Sequence, residues 1–425
     1  MTLSGLTLAY LRDRALNTAL NVLILTLAAA TLTILVLFSA QLGERFDRDA
    51  RGVDLVVGAK GSPLQLILSS VYHADVPTGN IPLSTLEALR SDPTVAKAIP
   101  VALGDNFRGF RIVGTEAAYV EHYGGRLAQG RLWAGEGETV LGAEVARRTG
   151  AALGQKFLGS HGLGDGGGGE HDAHPFRVVG VLRPTGTVLD RLILTSVESV
   201  WDVHGIDHDG HEGRGDGAHA DADHDHDVHD HAPANASRQV QELRPEVTAI
   251  LVSYRSALAA VRLPAFVNRQ TGLQAAVPAV ETARLLSLVG VGLDAVRAFA
   301  LLLLLTGGLS IFVALYTALR QREADMAMLR VMGAKPAGIF GQVLSEGLLL
   351  AAAGSILGLA LGHGVVAVAA ASFERLGEIG LTAWRFEPAE ALIVAAALTA
   401  GAAAALIPAL RVFRVDIART LSQAA

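Results

Sequence analysis

The sequence predicts an α-helical membrane protein with four transmembrane helices and one large α+β extracytoplasmic domain. Three observations predict this: four uncharged apolar stretches, their uneven spacing, and the arginines that flank them. The stretches occupy residues 15–42, 298–319, 347–373 and 391–410. Each reaches the roughly 20 residues needed to cross about 30 Å of hydrocarbon. The helices therefore have a 1+3 arrangement, with the domain inserted between the first and the second.

Composition agrees with this class and excludes others. Hydrophobic residues make up 51% of the chain and the mean hydropathy is +0.38. The chain has no cysteine, which rules out disulfides, thiolate metal sites and a cysteine nucleophile. The net charge is −6 and no basic patch is present, so a nucleic-acid partner is not expected.

Basic residues indicate the orientation, because they favour the cytoplasmic side of a membrane. They precede the first stretch, separate the second from the third, and follow the fourth, at Arg12, Arg14, Arg320, Arg322, Arg330, Lys335, Arg411, Arg414 and Arg419. Both termini are therefore expected in the cytoplasm and the large domain outside. The predicted parts are residues 1–42 with helix 1, the domain at 43–296 with its stalks, and residues 297–425 with helices 2–4.

Within the domain, alternating and β-branched runs predict strands at residues 53–57, 110–113, 139–141, 176–182, 192–195 and 248–252. Short helices are expected at 142–148 and 256–267. Another begins at Ser62, with Pro63 at its first position, and one more opens with a capping box formed by Ser84 and Glu87. The domain is large enough for two lobes.

Two low-complexity segments interrupt the domain. Residues 159–174 contain seven glycines and are interpreted as a hairpin extension. Residues 204–231 hold eight of the fourteen histidines together with nine acidic residues, and cannot form a core. Imidazole and carboxylate ligands suit Zn²⁺, and also Ni²⁺ or Cu²⁺. The candidate ligands are His204, His208, His211, His219, His224, His226, His229 and His231. The alternative is a solvated acidic loop that binds metal only as any histidine-rich tract does.

Helix 3 carries two further features. Gly354, Gly358 and Gly362 recur at every fourth residue and predict a close helix–helix contact. The last three stretches contain no Asp, Glu, Lys or Arg, and His363 is their only histidine. It is either a protonation or metal site, or a neutral histidine hydrogen-bonded at a helix interface near the outer surface. We favour the second reading.

Residues 320–335 between helices 2 and 3 predict a helix, a sharp turn and a second helix, with Gly333 as a left-handed cap and Pro336 starting the next helix. This segment resembles the coupling segment of ABC transporter permeases of the FtsX, MacB and LolC/LolE class. The match rests on Arg320, Arg322, Glu323, Met328, Leu329, Arg330, Val331, Met332, Gly333 and Ala334. Residues 139–154 and 176–190 also resemble the periplasmic domain of that class, and residues 408–421 its C-terminal ending.

The resemblance implies a multi-pass protein of the bacterial inner membrane with a MacB-like periplasmic domain. It implies a non-catalytic permease that pairs with a second copy or a paralogue and sits on a dimer of a separate ATPase, which binds ATP and Mg²⁺. The ATPase-coupling residues would be Arg320, Arg322, Glu323, Leu329, Arg330, Gly333 and Ala334. The chain has no G-x-x-x-x-G-K-[ST] phosphate loop, so no cofactor other than zinc is expected in it.

Three functions remain open. The first is extracytoplasmic work on a lipid, lipoprotein, peptide or efflux cargo. The second is a zinc-linked role for the same machinery, in which the histidine-rich loop captures or senses metal and a periplasmic accessory protein delivers it. The third is mechanical activation of a cell-wall hydrolase or a signalling partner. Membrane lipid is a further expected partner, because four helices cross the bilayer.

Overall fold

A computed structural model describes residues 12–160, 175–203, 245–321, 328, 330–373, 381–411 and 413. The chain divides into two compact units. The membrane unit comprises Met1–Asp47 with Arg284–Ala425, and the outer unit comprises Arg48–Ala283.

The helices in the described part of the chain are α1 (Ala15–Asp49), α2 (Pro63–Ser70), α3 (Ser84–Ser91), α4 (Ala117–His122), α5 (Ala143–Thr149), α6 (Val197–Val203), α7 (Ala257–Gln270), α8 (Pro278–Gln321), α9 (Pro336–Ser372) and α10 (Ala389–Arg411). The strands are β1 (Leu55–Ala59), β2 (Ile81–Pro82), β3 (Val95–Phe107), β4 (Phe110–Gly114), β5 (Leu127–Gly130), β6 (Glu138–Leu141), β7 (Lys156–Phe157), β8 (Phe176–Leu182), β9 (Leu192–Thr195), β10 (Glu246–Val247), β11 (Ala249–Tyr254) and β12 (Leu273–Ala276).

Four of the described helices, α1, α8, α9 and α10, are long and apolar enough to cross a membrane. They share one core, in which Leu25 of α1, Ile311 of α8, Ala351 of α9 and Ala397 of α10 are buried together. Small residues let the backbones approach closely, since a methyl group at Gly401 would lie 2.5 Å from Ala351 Cβ. The predicted class, four apolar helices in a 1+3 arrangement with an α+β domain inserted after the first, is confirmed.

The outer unit is built on a mixed sheet with the strand order β12-β1-β11-β3-β4-β9-β6-β8-β5, and β7 pairs with β8. The β4–β9 and β6–β8 pairs are parallel, and the other pairs are antiparallel. The long strand β3 joins the two halves of the sheet. Its first part pairs with β11, its second part pairs with β4, and the register shifts between Leu103 and Asn106.

Each half of the sheet has its own apolar core. One core gathers β1, β11, α3 and α7 around residues such as Leu55, Leu86, Ile250 and Leu263. The other gathers β4, β6, β8 and α5 around residues such as Ile112 and Val145. Burial of these side chains supplies the main stabilising free energy, at roughly 25 cal/mol per Å² of apolar surface. The two cores correspond to the two lobes expected from the size of the domain.

Several local predictions are confirmed, and one is wrong. β8 and β9 occupy the predicted residues 176–182 and 192–195. Ser62 caps α2 by accepting a hydrogen bond from the Gln65 N–H, and Pro63 is its first residue. The capping box of Ser84 and Glu87 does not form, because α3 starts one residue earlier than predicted. Leu83 already has helical backbone angles and makes no side-chain cap, which places Ser84 inside the first turn.

Candidate functional site

The coupling segment at residues 320–335 is partly described. Arg322, Glu323 and Leu329 lie outside the described residues. At its end the Met332 N–H donates to the Met328 carbonyl at 3.0 Å, which closes a helical turn. Gly333 then has a φ of 98°, a conformation that glycine adopts readily and other residues rarely adopt. Pro336 starts α9 two residues after Ala334. The predicted sharp turn is therefore present.

An apolar cluster joins this turn to three membrane helices. Leu319 of α8, Ile339 and Val343 of α9 and Ala409 of α10 are buried together, and Ala334 packs against them. The turn therefore packs against the ends of all three helices.

Two arginines contact one tyrosine ring at the C-terminal ends of α8 and α10, next to this apolar cluster. The guanidinium groups of Arg320 and Arg411 lie 5.4 Å and 4.5 Å from the centre of the Tyr316 ring. Such cation–π contacts place α8 and α10 side by side at their arginine-bearing ends.

The outward side of the turn is apolar and exposed. Met328, Val331 and Met332 are 55%, 64% and 70% exposed. Adjacent exposed apolar side chains on a polar loop are typical of a protein-docking surface. Methionine suits such surfaces because its side chain is flexible and polarizable.

The predicted glycine stripe on α9 faces α1. A methyl group at Gly354 would lie 2.5 Å from Leu25 Cβ, and one at Gly362 would lie 2.7 Å from Thr33 Cβ. At Gly358 it would overlap with Ala29 Cβ. The three glycines thus allow the two backbones to approach more closely than any side chain would permit.

At the opposite end of the bundle, the loop before α10 is bound to α1. The Gln41 amide donates to the Thr382 carbonyl at 2.9 Å and accepts from the Thr382 N–H at 2.8 Å. One turn later Glu44 forms a bidentate pair with Arg385, with both distances 2.5 Å. We call these four hydrogen bonds the outer clamp.

His363 lies beside the outer clamp. Its Nδ1 is 2.5 Å from the Ala383 carbonyl oxygen and its Nε2 is 3.0 Å from Glu390 Oε2. A carbonyl oxygen can only accept, so Nδ1 carries a hydrogen. A second hydrogen, bound to Nε2 or to the carboxyl group, lies between Nε2 and Glu390 Oε2. His363 therefore lies between two hydrogen-bond acceptors at a helix interface.

A buried polar cluster at the end of α1 was not predicted. Asp49, the last residue of α1, has a 2% exposed side chain that pairs with Arg191 at 3.2 Å. Its backbone carbonyl accepts a hydrogen bond from the Tyr123 hydroxyl at 2.9 Å. Asp49 and Arg191 are 142 residues apart in the chain, so no local pattern could reveal this contact. All three residues belong to the outer unit, so the cluster lies within that unit.

The cluster continues to a strained histidine. The Tyr119 ring contacts Tyr123 edge-on, and its hydroxyl is 3.0 Å from His73 Nε2. His73 has a φ of 52°, which is uncommon for a residue other than glycine. Burial lowers the pKa of His73 well below its ordinary value, and the nearby Arg111 and Arg191 lower it further. The ring is therefore neutral at pH 7.

The eight predicted metal ligands between His204 and His231 lie outside the described residues. Among the residues that are described, no group of three or more histidine, aspartate or glutamate side chains could hold a metal ion.

Two family models match the chain. The FtsX-like permease C-terminal model matches residues 297–417, which include α9, α10 and the coupling segment. The MacB-like periplasmic core domain model matches residues 18–223, which include most of α1 and the first part of the outer unit. The chain belongs to the FtsX/MacB class of ABC permeases. No curated protein matches the sequence.

Two solved structures are similar to part of this FtsX/MacB-type permease. One is the periplasmic region of MacB from Actinobacillus actinomycetemcomitans, with 12% identity and a TM-score of 0.34, over 56% of this chain and 95% of that one. The other is the extracellular domain of the noncanonic ABC-type transporter YknZ from Gram-positive bacteria, with 12% identity and a TM-score of 0.30, over 52% of this chain and 98% of that one.

Membership of the FtsX/MacB class agrees with the architecture. Four apolar helices carry an α/β domain inserted after the first of them, as in an inner-membrane protein with an extracellular domain. The class also implies an ABC ATPase as partner.

Proposed function

We propose that this permease is the non-catalytic membrane subunit of an ATP-driven complex, and that its coupling segment relays nucleotide-driven movement to the outer unit. A dimer of a separate ATPase binds ATP and Mg²⁺, and two copies of this chain, or this chain and a paralogue, sit on it. The work is done outside the membrane on a lipid, lipoprotein, peptide or efflux cargo. The observation that carries the proposal is the left-handed turn at Gly333, packed through Ala334 against three membrane helices.

The proposed relay has an exposed surface at one end and a buried ion pair at the other. At one end, Met328, Val331 and Met332 expose an apolar surface for the ATPase. At the other end, α1 is a continuous helix from Ala15 to Asp49, and the buried pair with Arg191 holds its last residue. Rigid helices with fixed ends transmit displacement better than loops do.

Nucleotide chemistry is assigned to the partner because this sequence lacks the phosphate loop that cradles ATP. The purified chain alone should show no ATP hydrolysis. Turnover that follows the chain through successive columns, and survives removal of contaminating ATPases, would contradict the assignment.

The coupling role is tested with two glycines that differ only in backbone conformation. Neither Gly333 nor Gly341 has another atom within 4 Å of an added Cβ, but only Gly333 has a positive φ. Gly333→Val should therefore strain the turn, at roughly 1–2 kcal/mol, whereas Gly341→Val lies in a regular helix. With the ATPase reconstituted in liposomes, Gly333→Val should lower the stimulation of ATP hydrolysis by the permease several-fold, while insertion and ATPase binding persist.

Gly341→Val should keep full stimulation and serves as the matched control. Normal stimulation by Gly333→Val would show that the turn is not part of the relay. Equal loss in both variants would point to a defect in folding or insertion and not in coupling, and would remove the support for the proposal.

A zinc-linked role is the second candidate, favoured by the eight histidines and nine acidic residues of residues 204–231. Several interchangeable ligands should bind more than one Zn²⁺ at modest affinity. Binding should weaken as the pH falls through about 6.5, where imidazole protonates. Calorimetry on the full chain with and without residues 204–231, paired with growth across zinc concentrations, tests this. Loss of binding without a change in growth would leave a surface loop that binds metal without a physiological role.

A further inference from the structure

Two aromatic side chains project from the loop before α10. Trp384 is 87% exposed, and Phe386, two residues later, is 73% exposed. Tryptophan is highly buried on average in folded proteins. Two large rings left exposed side by side indicate a surface that something else covers.

The loop backbone is held in place around these rings, so their exposure does not come from a loose segment. The Trp384 N–H donates to Thr382 Oγ1 at 3.3 Å, and Thr382 is itself bound to Gln41 in the outer clamp. Between them Ala383 is buried against α1 and α9. The fold therefore presents the indole ring outward from a fixed backbone.

The loop lies where two membrane spans end. The uncharged residues 347–373 end before it, and the uncharged residues 391–410 begin after it. Phe373 and Leu392, at these two boundaries, are 63% and 71% exposed. Exposed apolar side chains on membrane-spanning helices face acyl chains. The two aromatic rings therefore continue the lipid-facing surface to the edge of the hydrocarbon.

The charges of the loop do not oppose contact with lipid, because they are paired within the protein. The described part of the loop and the first turn of α10 contain three charged residues, Arg385, Glu387 and Glu390. Arg385 forms the bidentate pair with Glu44 and also lies 2.8 Å from Glu387 Oε1. Glu390 lies 3.0 Å from His363 Nε2. A paired charge costs less to place beside an apolar medium than an isolated one.

The chemistry of the indole ring selects one kind of partner. It combines a large apolar surface with a single N–H donor. Tryptophan is enriched at the membrane–water interface, where the ring lies at the level of the lipid headgroups. A rigid loop at the end of two spans, with paired charges and an outward tryptophan, fits that interface.

We propose that Trp384 and Phe386 insert into the leaflet at the outer-clamp end of the bundle and anchor the clamp there. The rings lie among the glycerol and upper acyl groups, and the indole N–H donates to a phosphate or ester oxygen of a phospholipid. Because Trp384 and Gln41 both bind Thr382, the anchor also fixes the depth at which α1 leaves the bilayer. The anchor is independent of the cargo and of the ATPase.

The test measures quenching of tryptophan fluorescence by phosphatidylcholine brominated on its acyl chains, with the full-length chain in nanodiscs. The chain has three tryptophans, of which Trp133 and Trp201 belong to the outer unit. The brominated lipid should quench part of the wild-type emission, and Trp384→Phe should remove that quenching. This variant keeps an aromatic ring at an exposed position, so it should fold normally. Bromine near the glycerol should quench more than bromine near the chain ends, because the ring lies at the interface.

Trp133→Phe is the matched control. It removes a half-buried tryptophan of the outer unit, which is expected outside the membrane. The lipid should therefore still quench the emission, and the quenched fraction of the remaining emission should rise.

Wild-type emission that the brominated lipid leaves unchanged, or equal quenching in Trp384→Phe, would overturn the proposal. Acrylamide, a quencher dissolved in water, would then identify what faces the ring. Quenching by acrylamide would show that the ring lies in water, where a soluble protein can reach it, and protection would show that a second copy covers it. Stronger quenching by bromine near the chain ends would also overturn the placement of the ring at the interface.

Discussion

Ion pairs in the outer unit differ in how far they shift the pKa of their carboxyl group. Glu138 is the clearest case, since its side chain is 11% exposed and two arginines bind it. Arg131 donates twice, at 2.6 and 2.5 Å, and Arg177 donates at 3.1 Å. The Ala134 N–H adds a fourth bond at 3.0 Å. Hydrogen bonds from Arg131, and then from Ala134, lower the pKa of Glu138 to about 2.

This shift has a definite consequence for stability. The pKa of Glu138 is lower in the folded protein than in the unfolded chain, where it is about 4.3. The stabilisation is therefore fully present above about pH 4.3 and is lost as the pH falls toward 2. We expect Glu138→Gln to cost about 1–2 kcal/mol at pH 7 and to flatten the fall in melting temperature between pH 5 and 2.

Thermal unfolding of the full chain in detergent across this pH range measures the effect. Glu144→Gln is the control, because its partner Arg147 is 73% exposed and an exposed i, i+3 pair contributes little. A Glu138→Gln variant with the wild-type pH profile would show that the arginine contacts do not stabilise the fold.

At the scale of elements, the contact between α1 and α9 is determined by single glycines. Gly358→Ala should lower stability by about 1–3 kcal/mol, because the added methyl overlaps with Ala29 and lies 2.9 Å from the Thr26 carbonyl oxygen. Gly364→Ala on the same helix meets no atom within 4 Å and should be neutral or slightly stabilising. The melting temperatures of the two variants in detergent give the comparison, and equal values would contradict close packing at Gly358.

Local sequence predicts the bounds of some strands and misses others. β8 and β9 are short and rich in apolar and β-branched residues, and this pattern predicted where each strand begins and ends. β3 escaped prediction because it includes Lys97, Pro100 and Gly104, and because different partners pair with its two halves. Strand partners lie far away in the sequence, and a local pattern contains no information about them.

The same distinction holds for the candidate site. The glycine stripe on α9 and the turn at Gly333 could be predicted, since each depends on local spacing and backbone chemistry. The outer clamp and the Asp49–Arg191 pair could not, because each joins residues more than a hundred positions apart, such as Gln41 and Thr382. The positions that local reasoning misses are those where tertiary structure joins distant segments.

At the scale of the whole molecule, the charge distribution indicates one orientation in the membrane. Arg14, Arg320 and Arg411 stand at the ends of α1, α8 and α10 that the positive-inside rule assigns to the cytoplasm. At the other end, Arg385 is paired with Glu44 and also contacts Glu387, so its charge is balanced. The coupling segment is thus expected in the cytoplasm, where an ATPase can reach it.

Two exposed positions test this orientation in a chain without cysteine. Leu258 in α7 is 64% exposed and Met332 in the coupling segment is 70% exposed, so a cysteine at either site is accessible to a reagent on its own side. In intact spheroplasts, a membrane-impermeant maleimide should label Leu258→Cys and leave Met332→Cys unlabelled. After lysis both should react, which confirms that the Met332→Cys thiol is accessible. The opposite pattern would place the coupling segment outside the cell, away from ATP, and would contradict both the orientation and the proposed relay.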